Sequence, residues 1–336
     1  MDVRLSSEQQ ALRDAAAQAV DRLAPHSVGE LDDEERAARL EAAIGGSEWR
    51  ELRTSSEDGG PCASAVEAAI VAEELARGLA DAAFIGPTLA AELRRLAAAP
   101  PVISRETVAL GRGLGAPAPR AAGAVAIDAA GASGALLLDA GVLGSVELAG
   151  TEVRVDLTRP SVALDPSGSA TPVGGRPLTP EQLERWSALA LSLTCADLVG
   201  VMRGAIALAC EHARTRRQYG VPVGSFQAIQ HLLADALVSM EGSRSVAMHA
   251  AWGVDALEPQ DALAAAAVAK AYCARSALAV CETTIQVHGG MGNTWECLAH
   301  VYLRRALLSI DVLGGVGENL GRVLEHQGIG AGHGLR

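Results

Sequence analysis

The chain has 336 residues, of which 49% are hydrophobic and 3% aromatic, and its formal net charge is −12 at pH 7. This length exceeds the usual size of one domain and predicts two or three domains with well-buried cores. The acidic balance argues against a general nucleic-acid or anionic-membrane binder, because such proteins need a cationic surface. No run of 18 or more apolar residues occurs, and the N-terminus lacks the apolar core of a signal peptide. We therefore expect a cytoplasmic protein without a membrane span.

Six cysteines are present, and none forms a Cys-x-x-Cys pair. Most lie in alanine-rich runs of helical character, which favours small buried side chains over a disulfide framework. Cys273, Cys281 and His288 are the one set that could be considered as metal ligands. Their spacings of eight and seven residues suit helix faces better than a chelating loop, so no metal is expected.

Residues 1–101 are predicted to form an N-terminal helical domain. Ser6 and Ser7 precede Gln9 and Gln10 in an arrangement typical of a capping box, and an apolar helical stripe follows to residue 24. Similar periodic segments occupy residues 32–44, 64–79 and 87–96. The Pro100-Pro101 pair closes this block.

Residues 102–179 have a different character, with short runs rich in Val, Leu and Gly separated by Gly, Asp and Pro. Five runs predict strands, at residues 107–110, 123–127, 134–138, 145–148 and 151–155. The pattern indicates a small antiparallel β domain that depends on the helical parts for stability.

Residues 180–336 return to helical periodicity and are predicted to form a C-terminal antiparallel four-helix bundle. Four long segments are joined by brief turns: Glu181 to Arg217, Phe226 to Trp252, Pro259 to Val287 and Glu296 to Leu313. The fold class is therefore mainly α, with a reduced β domain between two helical ones.

A glycine-rich turn runs from Gln286 to Glu296, between two of these segments. Three glycines within four positions at the end of an apolar helix indicate positive φ angles or a close approach of the backbone to a ligand. From the glycines alone, a helix cap with a tight turn and a ligand contact both remain open.

The order of a helical block, a small β block and a helical bundle resembles the acyl-CoA dehydrogenase family of flavoenzymes. The resemblance rests on four stretches in matching order and spacing: Ala213-Arg-Thr-Arg-Arg-Gln-Tyr-Gly220, Gly224 to Asp235, Gln286-Val-His-Gly-Gly-Met-Gly-Asn-Thr-Trp-Glu296 and His300 to Arg305. Weaker matches, Leu5 to Leu12 and Ala72 to Arg77, extend it into the N-terminal block.

The resemblance implies FAD as cofactor, an acyl-CoA thioester as substrate and an electron-transfer acceptor as partner. It also implies that residues of the C-terminal bundle reach the FAD of a neighbouring protomer, here Arg216, Gln218, Gln227, Gln286, Gly289 and Gly290. These residue types suit the task, because a guanidinium binds a pyrophosphate, amides bind neutral polar groups, and glycines expose backbone N–H groups.

The position that carries the catalytic glutamate in many members of the family falls on Leu313, which cannot accept a proton. The alternative position of the base falls near Ala190, which is equally unsuited. Asp311 lies two residues before Leu313, but two helical residues turn a side chain by about 200°. Asp197 lies two turns beyond Ala190 on roughly the same face. Both carboxylates are candidates for the base, although Asp197 also suits a role in helix packing.

The residues that the family uses to line its own flavin in the middle domain have no counterpart in residues 102–178. This asymmetry resembles actinobacterial α2β2 enzymes acting on steroid side-chain thioesters, in which one chain lacks the base and part of the flavin site. We therefore expect either a paralogous partner subunit or a homotetramer.

Two other functions remain open. One is a scaffold or regulatory homologue without activity, and the other is a dehydrogenase that acts on an acyl group bound to a carrier protein. Flavin absorbance of the purified complex and activity on the two kinds of thioester would separate them, because a fold alone does not determine function.

Overall fold

The computed structural model describes residues 4–329 and begins with a block of four α-helices. They are α1 Ser7–Leu23, α2 Glu34–Gly46, α3 Ala65–Arg77 and α4 Ile85–Leu96. The predicted capping box is present, since the Ser6 side chain accepts from the backbone of Gln9 and the Gln9 side chain accepts from the backbone of Ser6. Local capping therefore defines the start of α1.

A seven-stranded sheet follows the first helices. Its strands are β1 Glu106–Gly111, β2 Ala124–Ala126, β3 Gly134–Asp139, β4 Val142–Glu147, β5 Gly150–Val153, β6 Ser161–Leu164 and β7 Thr171–Pro172. Their order across the sheet is β5-β6-β2-β1-β3-β4-β7. Two corrections concern the sequence prediction. It missed β6 and β7, and it took the sheet as antiparallel throughout, whereas β1 and β3 pair in parallel.

Between residues 180 and 329 the chain forms five α-helices and a short two-stranded ribbon. The helices are α5 Pro180–Thr215, α6 Gln227–Ala256, α7 Pro259–His288, α8 Ala299–Asp311 and α9 Val316–His326, and the ribbon strands are β8 Arg217–Gln218 and β9 Val221–Pro222. The fourth bundle segment is shorter than predicted because it begins at Ala299, and α9 was not predicted at all. The element order confirms the predicted mainly α class, with a small sheet between helical parts.

Helices α3 and α5 approach each other closely at two glycines one turn apart. A Cβ on Gly200 would lie 2.1 Å from the Glu73 carbonyl oxygen, and one on Gly204 would lie 2.2 Å from that of Arg77. A Cβ at either position would force the two helices apart. The absence of a side chain at Gly200 and Gly204 therefore lets α5, a helix of the bundle, pack directly against α3, a helix of the N-terminal block. One hydrophobic core runs through the N-terminal helices, part of the sheet and the bundle. The predicted domain boundaries at 101/102 and 179/180 stay predictions.

Two helical stretches are long and apolar enough to span a membrane by length and composition alone. They are Pro180–Thr215, with a mean hydropathy of 1.6, and Pro259–Asn293, with 1.3. Their apolar windows are 78% and 50% buried inside the protein. Since a core helix meets the same criterion, these stretches are weak evidence for a membrane span.

Candidate functional site

The predicted flavin-contact residues come together at one end of the bundle. A small apolar cluster joins the end of α5, the start of α6 and the end of α7, and it contains Ala209, Ala213 and Val287 with Val223, Ile229 and Leu233 packed against them. The Val223 N–H donates to the Arg216 carbonyl oxygen at 2.8 Å, which holds the ribbon against α5. The end of α7 therefore meets the end of α5 and the start of α6, from which it is distant in sequence.

All six predicted contact residues are exposed at this end: Arg216, Gln218, Gln227, Gln286, Gly289 and Gly290. Within residues 4–329 the Arg216 guanidinium has no carboxylate partner, and the three glutamine side chains make no hydrogen bond to the protein. Free guanidinium and amide groups on an open surface are suited to bind a nucleotide.

The glycine turn is open to solvent at its first two residues. Gly289 has φ +63°, and a Cβ built on either Gly289 or Gly290 would meet no heavy atom within 4 Å. A short 3₁₀ turn continues from Gly289 to Asn293. The backbone can therefore approach a ligand here, and the residues present fit the polar part of FAD.

Exposed aromatic side chains surround the same end. Tyr219 is 94% exposed and Trp295 63% exposed, and the Arg304 guanidinium carbon lies 5.6 Å from the centre of the Trp295 ring. Aromatic residues are only 3% of the chain, so exposing two of them here indicates a contact surface.

The position expected to hold the catalytic base lies in the turn after α8. Leu313 is buried, adopts φ +61°, and donates its backbone N–H to the Leu114 carbonyl oxygen at 2.7 Å. Asp311, two residues earlier, is exposed. The two side chains therefore point in different directions.

The cavity that reaches the neighbouring Val312 has a volume of about 20 Å³, which is room for a single water molecule.

Asp197 lies close to this turn but is fully engaged. Its Oδ1 accepts from Arg305 Nε at 3.0 Å and Nη2 at 2.7 Å, and its Oδ2 accepts from Ser309 Oγ at 2.6 Å. Burial alone would raise the pKa of this carboxyl group, but the Arg159 and Arg305 guanidinium groups hold the pKa below its ordinary value. A carboxylate stabilised in this way has little tendency to take a proton.

Arg159 connects Asp197 to the loop before β6. Its Nη1 lies 3.2 Å from Asp197 Oδ1, its Nε donates to Asp156 Oδ2 at 2.8 Å, and its Nη2 donates to Ser309 Oγ at 2.7 Å. The buried polar cluster is thus Asp156, Arg159, Asp197, Arg305 and Ser309. It ties the middle segment to α5 and α8.

Asp128 extends this cluster towards α4. Its Oδ2 accepts from the backbone N–H groups of Phe84 and Gly86, and its Oδ1 is buried without a partner in residues 4–329. The small cavity that reaches Val312 is also lined by Asp128 and Arg159. Charged groups therefore line the space beside the expected base position.

Lys270 is a second group near that turn that the sequence reasoning missed. Its side chain is fully buried in α7, and Nζ donates to the Val312 carbonyl oxygen. Burial lowers the pKa of Lys270 to about 8. A lone lysine within the alanine-rich run of α7 was the available sequence signal. No sequence signal identifies the partners of Asp197, because they lie up to 112 residues away from it along the chain.

Comparison with known proteins identifies the class. The model of the acyl-CoA dehydrogenase N-terminal domain matches residues 6–97, and that of the C-terminal domain matches residues 191–325. Acyl-CoA dehydrogenase IpdE2 of Mycobacterium tuberculosis is 31% identical over 270 residues, which are 76% of each chain. Acyl-CoA dehydrogenase FadE34 of the same organism is 41% identical over 140 residues, 42% of this chain, and the match spans only 20% of that relative.

Two solved structures share the fold across nearly the whole chain. The ChsE4-ChsE5 complex from Mycobacterium tuberculosis has a TM-score of 0.76 at 21% identity and covers 98% of this chain and 99% of its own. A variant of the Tcur3481-Tcur3483 steroid ACAD has the same score and identity and covers 97% and 99%. The chain belongs to the acyl-CoA dehydrogenase family, and its fold is that of FAD-dependent dehydrogenases.

Proposed function

We propose that this chain is the subunit without a catalytic base in a two-chain, FAD-dependent acyl-CoA dehydrogenase. The observation that carries the proposal is the site around Leu313. An aliphatic side chain occupies the expected base position, and the cavity that reaches the neighbouring Val312 has a volume of about 20 Å³, which cannot contain an acyl chain. The base and the acyl pocket are then contributed by a companion chain.

The exposed end of the bundle is this chain's contribution to the reaction. Arg216 would hold the pyrophosphate of the companion's flavin, the glutamine side chains would hold its neutral polar groups, and the Gly289–Gly290 backbone would allow its close approach. When bound, FAD would supply the hydride acceptor for the β-carbon of the thioester. This chain orients the cofactor and excludes water from one side of it.

The two similar solved structures support a two-chain assembly. One structure is described as a complex of ChsE4 and ChsE5. The other is described as a steroid ACAD, and its name also joins two proteins, Tcur3481 and Tcur3483. We propose by analogy a thioester of a steroid side chain as the substrate class.

Co-expression with a paralogue that carries the missing glutamate tests the proposal. We expect stoichiometric FAD in the two-chain complex and bleaching of the flavin absorbance by a steroid side-chain CoA thioester. The chain alone should retain no stoichiometric FAD. If the isolated chain binds FAD stoichiometrically and is reduced by acyl-CoA, the proposal is wrong. A stable complex without flavin would instead favour a scaffold.

Two matched variants of the complex locate the contribution of this chain. Arg216→Gln removes a charged hydrogen-bond donor worth about 1.5–3 kcal/mol, so FAD affinity should fall by about 10- to 100-fold. Arg214→Gln is the control, because Arg214 lies two residues earlier and 3.8 Å from Glu211. A third variant, Leu313→Ala, should leave the rate of flavin reduction unchanged, because the Leu313 side chain supplies no base. Equal effects of the two arginine variants would contradict the assignment of Arg216.

A further inference from the structure

The small cavity that reaches Val312 lies between α4, α5, α8 and the residues that follow β2. Its volume is about 20 Å³, and its polar lining consists of Asp128, Arg159, Thr194 and Ser309, with apolar side chains around the rest. A cavity needs about 10–15 Å³ to accommodate one water molecule. This cavity therefore has room for one species of the size of water and for nothing larger.

Asp128 uses only one of its two carboxylate oxygens within the protein. The side chain is buried, and Oδ2 accepts from the backbone N–H groups of Phe84 at 2.9 Å and Gly86 at 3.1 Å, at the start of α4. Oδ1 is buried as well and has no hydrogen-bond partner among residues 4–329. Because a buried carboxylate oxygen without a donor is costly, Oδ1 requires a donor from the cavity.

Arg159 has hydrogen-bond donors to spare at the same cavity. A guanidinium has five N–H groups. Nε donates to Asp156 Oδ2, Nη2 donates to Ser309 Oγ, and Nη1 faces Asp197 Oδ1 at 3.2 Å. One N–H on each of Nη1 and Nη2 is left without an acceptor in the part of the chain that the structure describes. Arg159 can therefore donate to an occupant of the cavity.

The two hydroxyl groups at the cavity are acceptors towards an occupant. Thr194 Oγ1 donates to the Ala190 carbonyl oxygen at 2.7 Å, and Ser309 Oγ donates to Asp197 Oδ2 at 2.6 Å. Each hydroxyl has thus used its one hydrogen. Ser309 Oγ also accepts from Arg159, whereas both lone pairs of Thr194 Oγ1 remain available. Thr194 is therefore the better acceptor of the two.

This set of groups matches a water molecule better than an ion of the same size. A water molecule can donate to Asp128 and Thr194 and accept from Arg159 at the same time. A small cation could not accept from Arg159 and would be repelled by its charge, and a small anion would be repelled by the Asp128 carboxylate.

A second cavity, with a volume of about 10 Å³, shares Asp128 and Arg159 with the first. Its volume is at the lower limit for one water molecule. Its other charged groups, Asp197 and Arg305, are hydrogen-bonded to each other. The larger cavity, with its available Thr194 hydroxyl, is therefore the better site.

We propose that the larger cavity is an internal water-binding site. One ordered water molecule donates to Asp128 Oδ1 and Thr194 Oγ1 and accepts from Arg159. It completes the hydrogen bonding of Asp128 and joins the start of α4 to α5, next to the expected base position. The site does not depend on the proposed flavin contacts or on a companion chain.

A high-resolution crystal structure of the full-length chain tests the proposal, with one crystal soaked in rubidium chloride and another in sodium bromide. We expect a single electron-density peak in the cavity, about 2.7–3.2 Å from Asp128 Oδ1, without an anomalous signal in either soak. A cavity without a peak would overturn the proposal. An anomalous peak in the cavity would overturn it too, because it would identify an ion.

Two matched variants test the partners of the water in solution. Ser192→Ala and Thr194→Val each remove a buried hydroxyl that donates at 2.7 Å to the carbonyl oxygen four residues earlier on α5. Of the two residues, Thr194 alone lines the cavity. We expect Thr194→Val to lower the urea midpoint about twice as much as Ser192→Ala, because two hydrogen bonds are lost and not one. Equal shifts would overturn the assignment of Thr194, and if Thr194→Val does not fold, the wild-type crystal decides.

Discussion

The Arg305 guanidinium donates two hydrogen bonds to one carboxylate oxygen of Asp197, at 3.0 and 2.7 Å, across the interface between α8 and α5. Arg305 also donates from Nη1 to the Ala80 carbonyl oxygen and to Thr158 Oγ1, both at 3.0 Å. A single side chain thus connects four segments of the chain. Asp197, a carboxylate near the expected base position, therefore stabilises the packing of α8 against α5.

Removing the charge of Asp197 should destabilise the protein strongly. Asp197→Asn leaves Arg159 and Arg305 buried with one carboxylate fewer, and loss of one partner in such a cluster costs about 3–5 kcal/mol. Urea unfolding of the isolated chain measures this. Asp311→Asn is the control, and its exposed side chain should change the free energy of unfolding by less than about 0.5 kcal/mol. Equal stabilities of the two variants would contradict a structural role for Asp197.

Lys270 should make stability depend on pH in the alkaline range. Its pKa in the folded chain is about 8, below the ordinary value of 10.5, so between these values the unfolded chain binds the proton that the folded chain lacks. Stability then rises with pH in this interval. We expect the free energy of unfolding to rise by up to about 3 kcal/mol more in the wild type than in Lys270→Met between pH 7.5 and 10. Parallel pH profiles of the two proteins would show that Lys270 does not titrate in this range.

The close contact between α3 and α5 predicts that Gly204→Ala is poorly tolerated. Its Cβ would lie 2.2 Å from the Arg77 carbonyl oxygen and 2.4 Å from the Tyr302 hydroxyl, so the helices must separate. The expected loss is about 1–3 kcal/mol, measured by thermal or urea unfolding. Gly321→Ala in α9 meets no atom within 4 Å, and it should stabilise the protein by up to about 1 kcal/mol. A neutral Gly204→Ala would contradict this close approach of the two helices.

Gly290→Ala should separate folding from cofactor binding. The new methyl group has open space in this chain, so the melting temperature of the isolated chain should not change. Under the proposed function the same methyl group meets the flavin, and FAD retained by the two-chain complex on gel filtration should fall by about tenfold or more. Gly321→Ala is again the control and should leave FAD retention unchanged. Undiminished retention by Gly290→Ala would place the flavin elsewhere.

Much of the architecture could be predicted from the sequence because it depends on local interactions. The Ser6–Gln9 capping box marks the start of α1, and another capping box, between Thr179 and Gln182, marks the start of α5. Apolar periodicity separated helices from strands, and the order of the family motifs identified the six polar and glycine positions that meet at one end of the bundle. Short strands such as β7 were missed because two residues carry no periodic signal.

The chemistry of the titratable side chains was decided only by the tertiary structure. The sequence shows that Leu313 is not a base, since that follows from the residue type alone. It does not show that Asp197 is held by two arginines or that Lys270 donates to the Val312 carbonyl oxygen. The pKa of a side chain depends on burial and on partners brought near by folding, and sequence distance does not report either of them.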